Sequence, residues 1–241
     1  MRSIFIKEIR SFFNSLIGYM TIGLFLTGIG LYMWIFPATV LDIGMADMSL
    51  LFEVSPYVFM FLIPAITMRS FAEEKKSGTI ELLLTRPITE WQLILGKYLA
   101  CLTLVVLALI PTLVYFFTIY HLGNPRGNLD IPGITGAYFG LILLAAVYTA
   151  IGILTSSLTE NQIISFTVSA FITLLLYEGL SLLSDIDQWS AITYIISQFG
   201  LAHHYNSLSR GVIDLRNVVY LLSLAAFFLY STRMVLTSRK W

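Results

Sequence analysis

Residues 69–97 read RSFAEEKKSGTIELLLTRPITEWQLILGK, and this stretch decides how the rest of the chain is understood. It holds five basic residues (Arg69, Lys75, Lys76, Arg86, Lys97) and four acidic ones (Glu73, Glu74, Glu81, Glu90), while the sequence on either side is apolar enough to lie in lipid. A solvated loop would explain the lysines but not Ile80, Leu82, Leu83 and Leu84 beside them. The stretch reads as helix, break, helix. A charged run ends at Ser77 and Gly78, and a second helix-like run covers 79–85. Arg86 and Pro87 break it, because proline disfavours helix in the residue before it. Thr89, with Gln92 three residues later, matches a capping box that restarts a helix. Leucines in such a setting must bury against the membrane-side body or against a partner. Charges around an apolar patch have the composition of a protein–protein contact with a polar rim.

Outward from this segment, composition bounds the class. The chain has 241 residues, 57% hydrophobic and 12% charged, with a mean hydropathy of +0.83. Soluble domains carry about 25% charged residues, so a polytopic membrane protein is expected. The net charge is zero, so no global field recruits nucleic acid. The single cysteine, Cys101, can form no internal disulfide and reads as a small buried residue in an apolar stretch.

A span needs about 20 mostly apolar residues. Such runs are expected at 16–36, 50–68, 98–120, 134–154, 163–183 and 218–235. The first follows Arg2, Lys7 and Arg10 as a signal peptide would. Its apolar run exceeds the roughly 7–15 residues of a cleaved signal, so it is expected to be retained. Eleven of the fourteen lysines and arginines then fall on one side. By the positive-inside rule, that side, with both termini and the charged segment, is cytoplasmic. The loop of Asp42 and Asp47, residues 121–132 and residues 184–217 face outward. Trp34 and Trp189 fall near the outer interface and Trp91 near the inner one.

Residues 1–15 carry a second pattern. Ile4, Phe5, Phe12, Phe13 and Leu16 can share a helical face, with Arg2, Lys7, Arg10 and Asn14 largely elsewhere. This predicts an amphipathic helix in the inner interface; the alternative is an early start to the first span. Residues 155–162, with Glu160 and Asn161, read as a tight polar turn. No repeat or second domain interrupts the single transmembrane domain, 1–241.

The string EEKKSGTIELLLTRPITEWQLILGKYLA resembles the loop between the second and third spans of ABC-2 type permeases, the six-span membrane subunits of certain ABC transporters. The pattern is carried here by Glu73, Glu74, Lys75, Lys76, Ser77, Gly78, Thr79, Glu81, the three leucines, Thr85, Pro87, Gly96 and Lys97. The amphipathic start and the six spans extend the resemblance over the whole chain. A second string, HYNSLSRGVIDLRN (204–217), with Gly211, Val212, Ile213, Asp214 and Arg216, resembles the permeases linked to bacterial gliding motility, and related permeases share it.

The resemblance implies a permease subunit of an exporter in a bacterial cytoplasmic membrane, working as a homodimer or with a related second permease chain. The sequence has no G-x-x-x-x-G-K-[ST] loop to cradle phosphates. No cofactor is therefore expected in this chain. ATP and Mg would sit on two separate ABC ATPase subunits. Glu73, Glu74, Lys75, Lys76, Ser77, Gly78, Thr79, Glu81, Thr85 and Arg86 would contribute the ATPase-coupling contact. The family also places short outer helices before the sixth span, which favours a re-entrant dip at Ala191, Ile192, Tyr194, Ile195 and Ile196, then Phe199 and Gly200.

Glu178, near the outer end of the fifth span, is a candidate for the substrate path, because intramembrane carboxylates mark function by default; shallow depth would let it simply reach interfacial water. Glu53 is a weaker candidate. His203 and His204 are adjacent, so they point apart and chelate poorly. Pro56 and Pro64 could kink the second span and make a hinge into the charged segment. Alternative functions are a non-transporting membrane anchor of a motility or secretion machine, or a polytopic membrane enzyme. The second lacks G-x-S-x-G, H-E-x-x-H or paired aspartates within a span.

Overall fold

A computed structural model describes residues 1–36, 39–44, 46–80, 88–180, 182 and 198–238. Those residues form helices and connecting turns with no strand among them. Six helical stretches are long and apolar enough to cross a bilayer: Leu16–Trp34, Ser49–Lys76, Glu90–Leu122, Ile131–Leu158, Gln162–Gly179 and Leu215–Ser238. Each overlaps one expected span. The fold is an all-α membrane protein.

Helix α1 (Arg2–Phe13) precedes the first span, α2 (Leu16–Trp34), and the short α3 (Val40–Ile43) follows it. The second span is α4 (Ser49–Thr67), continued by α5 (Arg69–Lys76). The third is α6 (Glu90–Leu109) and α7 (Leu113–Leu122), joined by a 3₁₀ turn, Ile110–Thr112. Pro111 sits in that turn, and its missing N–H accounts for the interruption. The fourth span is α8 (Ile131–Leu158); the fifth is α9 (Gln162–Leu174) with a π-helical turn, Leu175–Gly179. A short helix, α10 (Leu201–Ser209), leads to the sixth span, α11 (Leu215–Ser238).

The fourth span is the hub, packing against α4, α5, α6, α9, α10 and α11. Its sequence explains why. Gly133, Gly136, Gly140, Ala145, Ala146, Ala150 and Gly152 let neighbouring backbones approach closely, as membrane helices require. A Cβ on Gly152 would lie 2.1 Å from Thr67 Oγ1 of α4, and one on Gly140 would lie 2.7 Å from Leu208 Cβ of α10. From α9, Ser165, Ser169 and Thr173 are buried at four-residue spacing and Phe171 and Leu174 are exposed. The outer faces of α2, α9 and α11 are apolar and exposed, as a lipid-facing surface should be.

At the end of the bundle away from α5, α10 docks through buried Leu201, Ala202, Tyr205 and Leu208. The Tyr205 hydroxyl donates to the Phe52 carbonyl at 2.7 Å. That carbonyl would normally accept the N–H four residues on, but residue 56 is a proline. Gly211 follows α10 with φ +78°, and a Cβ there would meet Gly133 Cα at 2.4 Å. The expected dip at Ala191, Ile192, Tyr194, Ile195 and Ile196 lies outside the described residues.

Two expectations change. Leu16 does not share the face of α1: the helix ends at Asn14, and Leu16 begins α2, 75% exposed. The polar turn at 155–162 is shorter, because α8 continues to Leu158 and Thr155, Ser156 and Ser157 are buried in its last turn. The prolines of the second span lie within its helix. α4 runs through Pro56 and Pro64, and the interruption falls at Met68.

Candidate functional site

The charged segment begins where the second span loses its own hydrogen-bond ladder. Around Met68 one side chain from the fourth span takes over. Ser156 Oγ accepts from the N–H groups of Phe71 at 2.9 Å and Ala72 at 3.1 Å, and donates to the Met68 carbonyl at 3.1 Å. A serine hydroxyl has one proton and two lone pairs, so all its capacity is used on this joint. Nearby, the Lys75 ammonium donates to the Ser157 carbonyl at the end of α8. A cation is favourable there, at the negative end of the helix dipole. Arg69 Nη1 donates to Ser15 Oγ at 2.9 Å, tying the same joint to the start of α2.

The far end of α5 is closed by the S-G-T of the motif. Gly78 adopts φ +70° with no atom near its absent Cβ, so the backbone angle, not space, calls for glycine. Its N–H bonds the Lys75 carbonyl at 3.1 Å, as expected of a left-handed helix stop. Ser77 Oγ donates to the Glu73 carbonyl at 2.9 Å, and Thr79 Oγ1 to the Glu74 carbonyl at 3.3 Å. Helical conformation resumes at Thr79 and Ile80. On the far side of the segment, the Thr89–Gln92 capping box opens α6, with Gln92 N 3.3 Å from Thr89 Oγ1.

Beneath α5 lies a compact charge network. Lys97, on α6, is 1% exposed. Its ammonium is 2.7 Å from Glu8 Oε1 of α1, 2.9 Å from Glu74 Oε2 of α5, and 2.6 Å from the Ser70 carbonyl. It also faces the Phe71 ring at 5.1 Å. Lys7 completes the group at 2.7 Å from Glu74 Oε1. Two cations and two anions balance, which is what makes burial of Lys97 tolerable. Burial disfavours the Lys7 charge, but the hydrogen bond and charge of Glu74, with help from Glu8 and Glu73, outweigh it and raise its pKa. Gly96 allows the contact, since a Cβ there would lie 3.2 Å from Ile4 Cβ of α1.

The expected coupling residues therefore divide by place. Glu73, Lys76, Ser77, Gly78 and Thr79 are exposed at the end of α5. Glu74 and Lys75 are buried and turned toward α1, α6 and α8. Glu81, Thr85 and Arg86 lie outside the described residues, as do the three leucines and the break at Pro87. Glu8 and Ser156 were not singled out in the sequence. Glu8 is the one acid among the three basic residues of α1, a signal that a charge-pairing search could have used. Ser156 carries no local signal, because its partners are more than eighty residues away.

A second polar locus lies at the other end of the spans. The π-helical turn Leu175–Gly179 carries Tyr177 and Glu178. The Tyr57 hydroxyl of α4 donates to the Glu178 carboxylate. Tyr57 packs edge-on against Tyr177 with ring centroids 5.6 Å apart, and Tyr177 tilts against Tyr205 at 6.3 Å. Tyr57 is 46% exposed, so this pair opens onto the outside of the single chain. His204 serves the outer segment instead. It stacks on Tyr220 at 3.9 Å and bonds Asn217 Oδ1 and the Gln198 carbonyl, both at 2.8 Å.

A family model described as ABC-2 family transporter protein matches residues 4–232. A search of curated proteins finds no match to this chain. Most of α1, all but the last turns of the sixth apolar helix, the other five apolar helices and the capped charged helix after the second of them fall within the matched region, and the chain belongs to the ABC-2 family of transporter proteins.

Proposed function

We propose that this ABC-2 permease subunit exports cargo by receiving the motion of ATPase subunits at the exposed end of α5. Two ABC ATPases would bind ATP and Mg and face the cytoplasmic ends of two permease chains. The observation that carries this is the mounting of α5. Its outer end presents Glu73, Lys76, Ser77, Gly78 and Thr79, while its inner side is tied to four other helices by Arg69, Glu74 and Lys75. A push on that end has no slack segment in which to dissipate. It reaches the fourth span through Ser156 and the third through Lys97. Glu81, Thr85 and Arg86 are assigned to the same contact by their place in the motif.

The test replaces Glu73, Lys76 and Thr79 together with alanine in the full chain, co-expressed with its ATPase. Co-purification of the ATPase and transport-linked hydrolysis in liposomes should both fall while membrane insertion is unchanged. Unchanged hydrolysis and co-purification would show that α5 is not the contact. Hydrolysis in liposomes with no movement of any cargo would favour the membrane-anchor alternative.

Glu178 is proposed to line the path between two permease chains. A carboxylate and a half-exposed phenol facing hydrocarbon would be costly, whereas a second copy or a wet path would solvate them. Copies carrying Phe61→Cys or Phe171→Cys, both exposed positions, each with Cys101→Ser so that the new thiol is the chain's one cysteine, should cross-link to each other.

The link to gliding motility rests on the 211–216 string. Gly211 is needed for its positive φ and its approach to Gly133, and Asp214 Oδ1 accepts from Arg216 N at 2.9 Å at the start of α11. Those residues have architectural reasons to be there, so gene neighbourhood is the deciding test of the motility role.

A further inference from the structure

We infer that the cavity between α1, the base of α2 and α5 binds the headgroup of a zwitterionic, amine-bearing phospholipid. The cavity measures about 250 Å³. Its membrane-side wall is apolar, with Ile17, Ala65, Ile66, Cys101 and Leu104. Its other wall is one face of α5, where Arg69, Ser70, Glu73, Glu74 and Ser77 recur at helical spacing. A space with a polar end and an apolar end, smaller than the roughly 300–1,000 Å³ of a drug-sized site, suits a headgroup and the start of its chains.

Unmet bonding capacity lies on its wall. Ser70 is 3% exposed and its hydroxyl has no hydrogen-bond partner. Arg69 Nε is also buried without one, although Nη1 is taken by Ser15. A buried donor without an acceptor costs about 1–3 kcal/mol, so both groups are better explained by something that fills the space. A phosphate supplies acceptors to both.

Charge then selects the headgroup. Lys7, Glu8 and Glu74 are neutralised among themselves and by Lys97. What remains on the wall is one cation, Arg69, and one exposed anion, Glu73, which forms no ion pair among the described residues and is the smallest of the charges acting on Lys7. An anionic headgroup would satisfy Arg69 and be repelled by Glu73. A phosphate bearing an ammonium satisfies both, the phosphate at Arg69 and Ser70 and the ammonium at Glu73.

The test uses the full chain, delipidated in detergent and titrated by native mass spectrometry. The probes are phosphatidylethanolamine, phosphatidylglycerol and free phosphoethanolamine. One phosphatidylethanolamine should be retained in clear preference to phosphatidylglycerol, and free phosphoethanolamine should not bind at the same concentration. Arg69→Lys, which keeps the charge but loses Nε, should weaken lipid retention about tenfold, the worth of one charge-assisted hydrogen bond. Glu73→Gln, an isosteric change at an exposed position, should abolish the preference between the two lipids. Equal retention of both lipids by the unaltered chain, or an unchanged preference in Glu73→Gln, overturns the proposal. Free phosphoethanolamine binding as well as the lipid would assign the cavity to a soluble ligand instead.

Discussion

Lys97 Nζ lies 2.9 Å from Glu74 Oε2, so a buried ammonium on the third span clamps the helix that follows the second. Glu8 of α1 shares that ammonium at 2.7 Å. Removing the cation alone leaves two carboxylates close together in a dry setting. Lys97→Met should destabilise the chain by about 3–5 kcal/mol, the usual cost of breaking a buried pair from one side. Thermal unfolding in detergent reads the loss. Adding Glu8→Gln to Lys97→Met should restore much of it, because Lys7 and Glu74 then remain as a balanced pair.

Lys7 gives the network a pH signature. Its pKa is raised in the folded chain, so the folded state holds the proton more tightly than the unfolded state. The stabilisation is complete below the ordinary lysine pKa of about 10.4 and is lost as pH rises through the raised value. Melting temperature should therefore fall more steeply with pH in strongly alkaline buffer for the unaltered chain than for Lys7→Met.

Ser156→Ala removes the hydroxyl that serves Phe71, Ala72 and Met68. Two buried N–H groups and a carbonyl lose their partner, at about 1–3 kcal/mol for each group left unsatisfied. Hydrogen exchange should show the amides of Phe71 and Ala72 losing protection while amides in the middle of α8 keep theirs. If protection at 71 and 72 is unchanged, α5 closes its own ladder without Ser156.

Gly152→Ala tests the contact of the second and fourth spans. The new Cβ would fall 2.1 Å from Thr67 Oγ1 and 2.8 Å from Thr67 Cβ. Overpacking of this kind costs about 1–3 kcal/mol. Thr67→Ala in the same chain should recover part of the loss and not all, since the Cβ conflict persists. Detergent unfolding of the two single variants and the double variant measures the coupling.

Much of this architecture was legible along the chain. Six apolar runs gave six spans, because length and hydropathy are properties of a contiguous segment. The capping box at Thr89 and Gln92 was legible for the same reason: both of its bonds close within three residues. The interruption of the second span at Met68 carries no sequence signal of its own. Pro56 and Pro64 are visible breakers, yet α4 absorbs both, and for Pro56 the freed Phe52 carbonyl is satisfied by Tyr205, a partner 153 residues away. At the charged segment, composition identified a patch but not its sides. Glu73 and Glu74 are neighbours in sequence, and only the packing of α1 and α6 distinguishes the exposed one from the buried one.

The hydroxyl of Ser156 gives the second span a shared hinge pin. A helix whose hydrogen-bond ladder is completed by its own backbone can bend without involving any other segment. Here the interruption at Met68 is completed by the fourth span, so changing the angle of α5 means either dragging the end of α8 along or letting go of it.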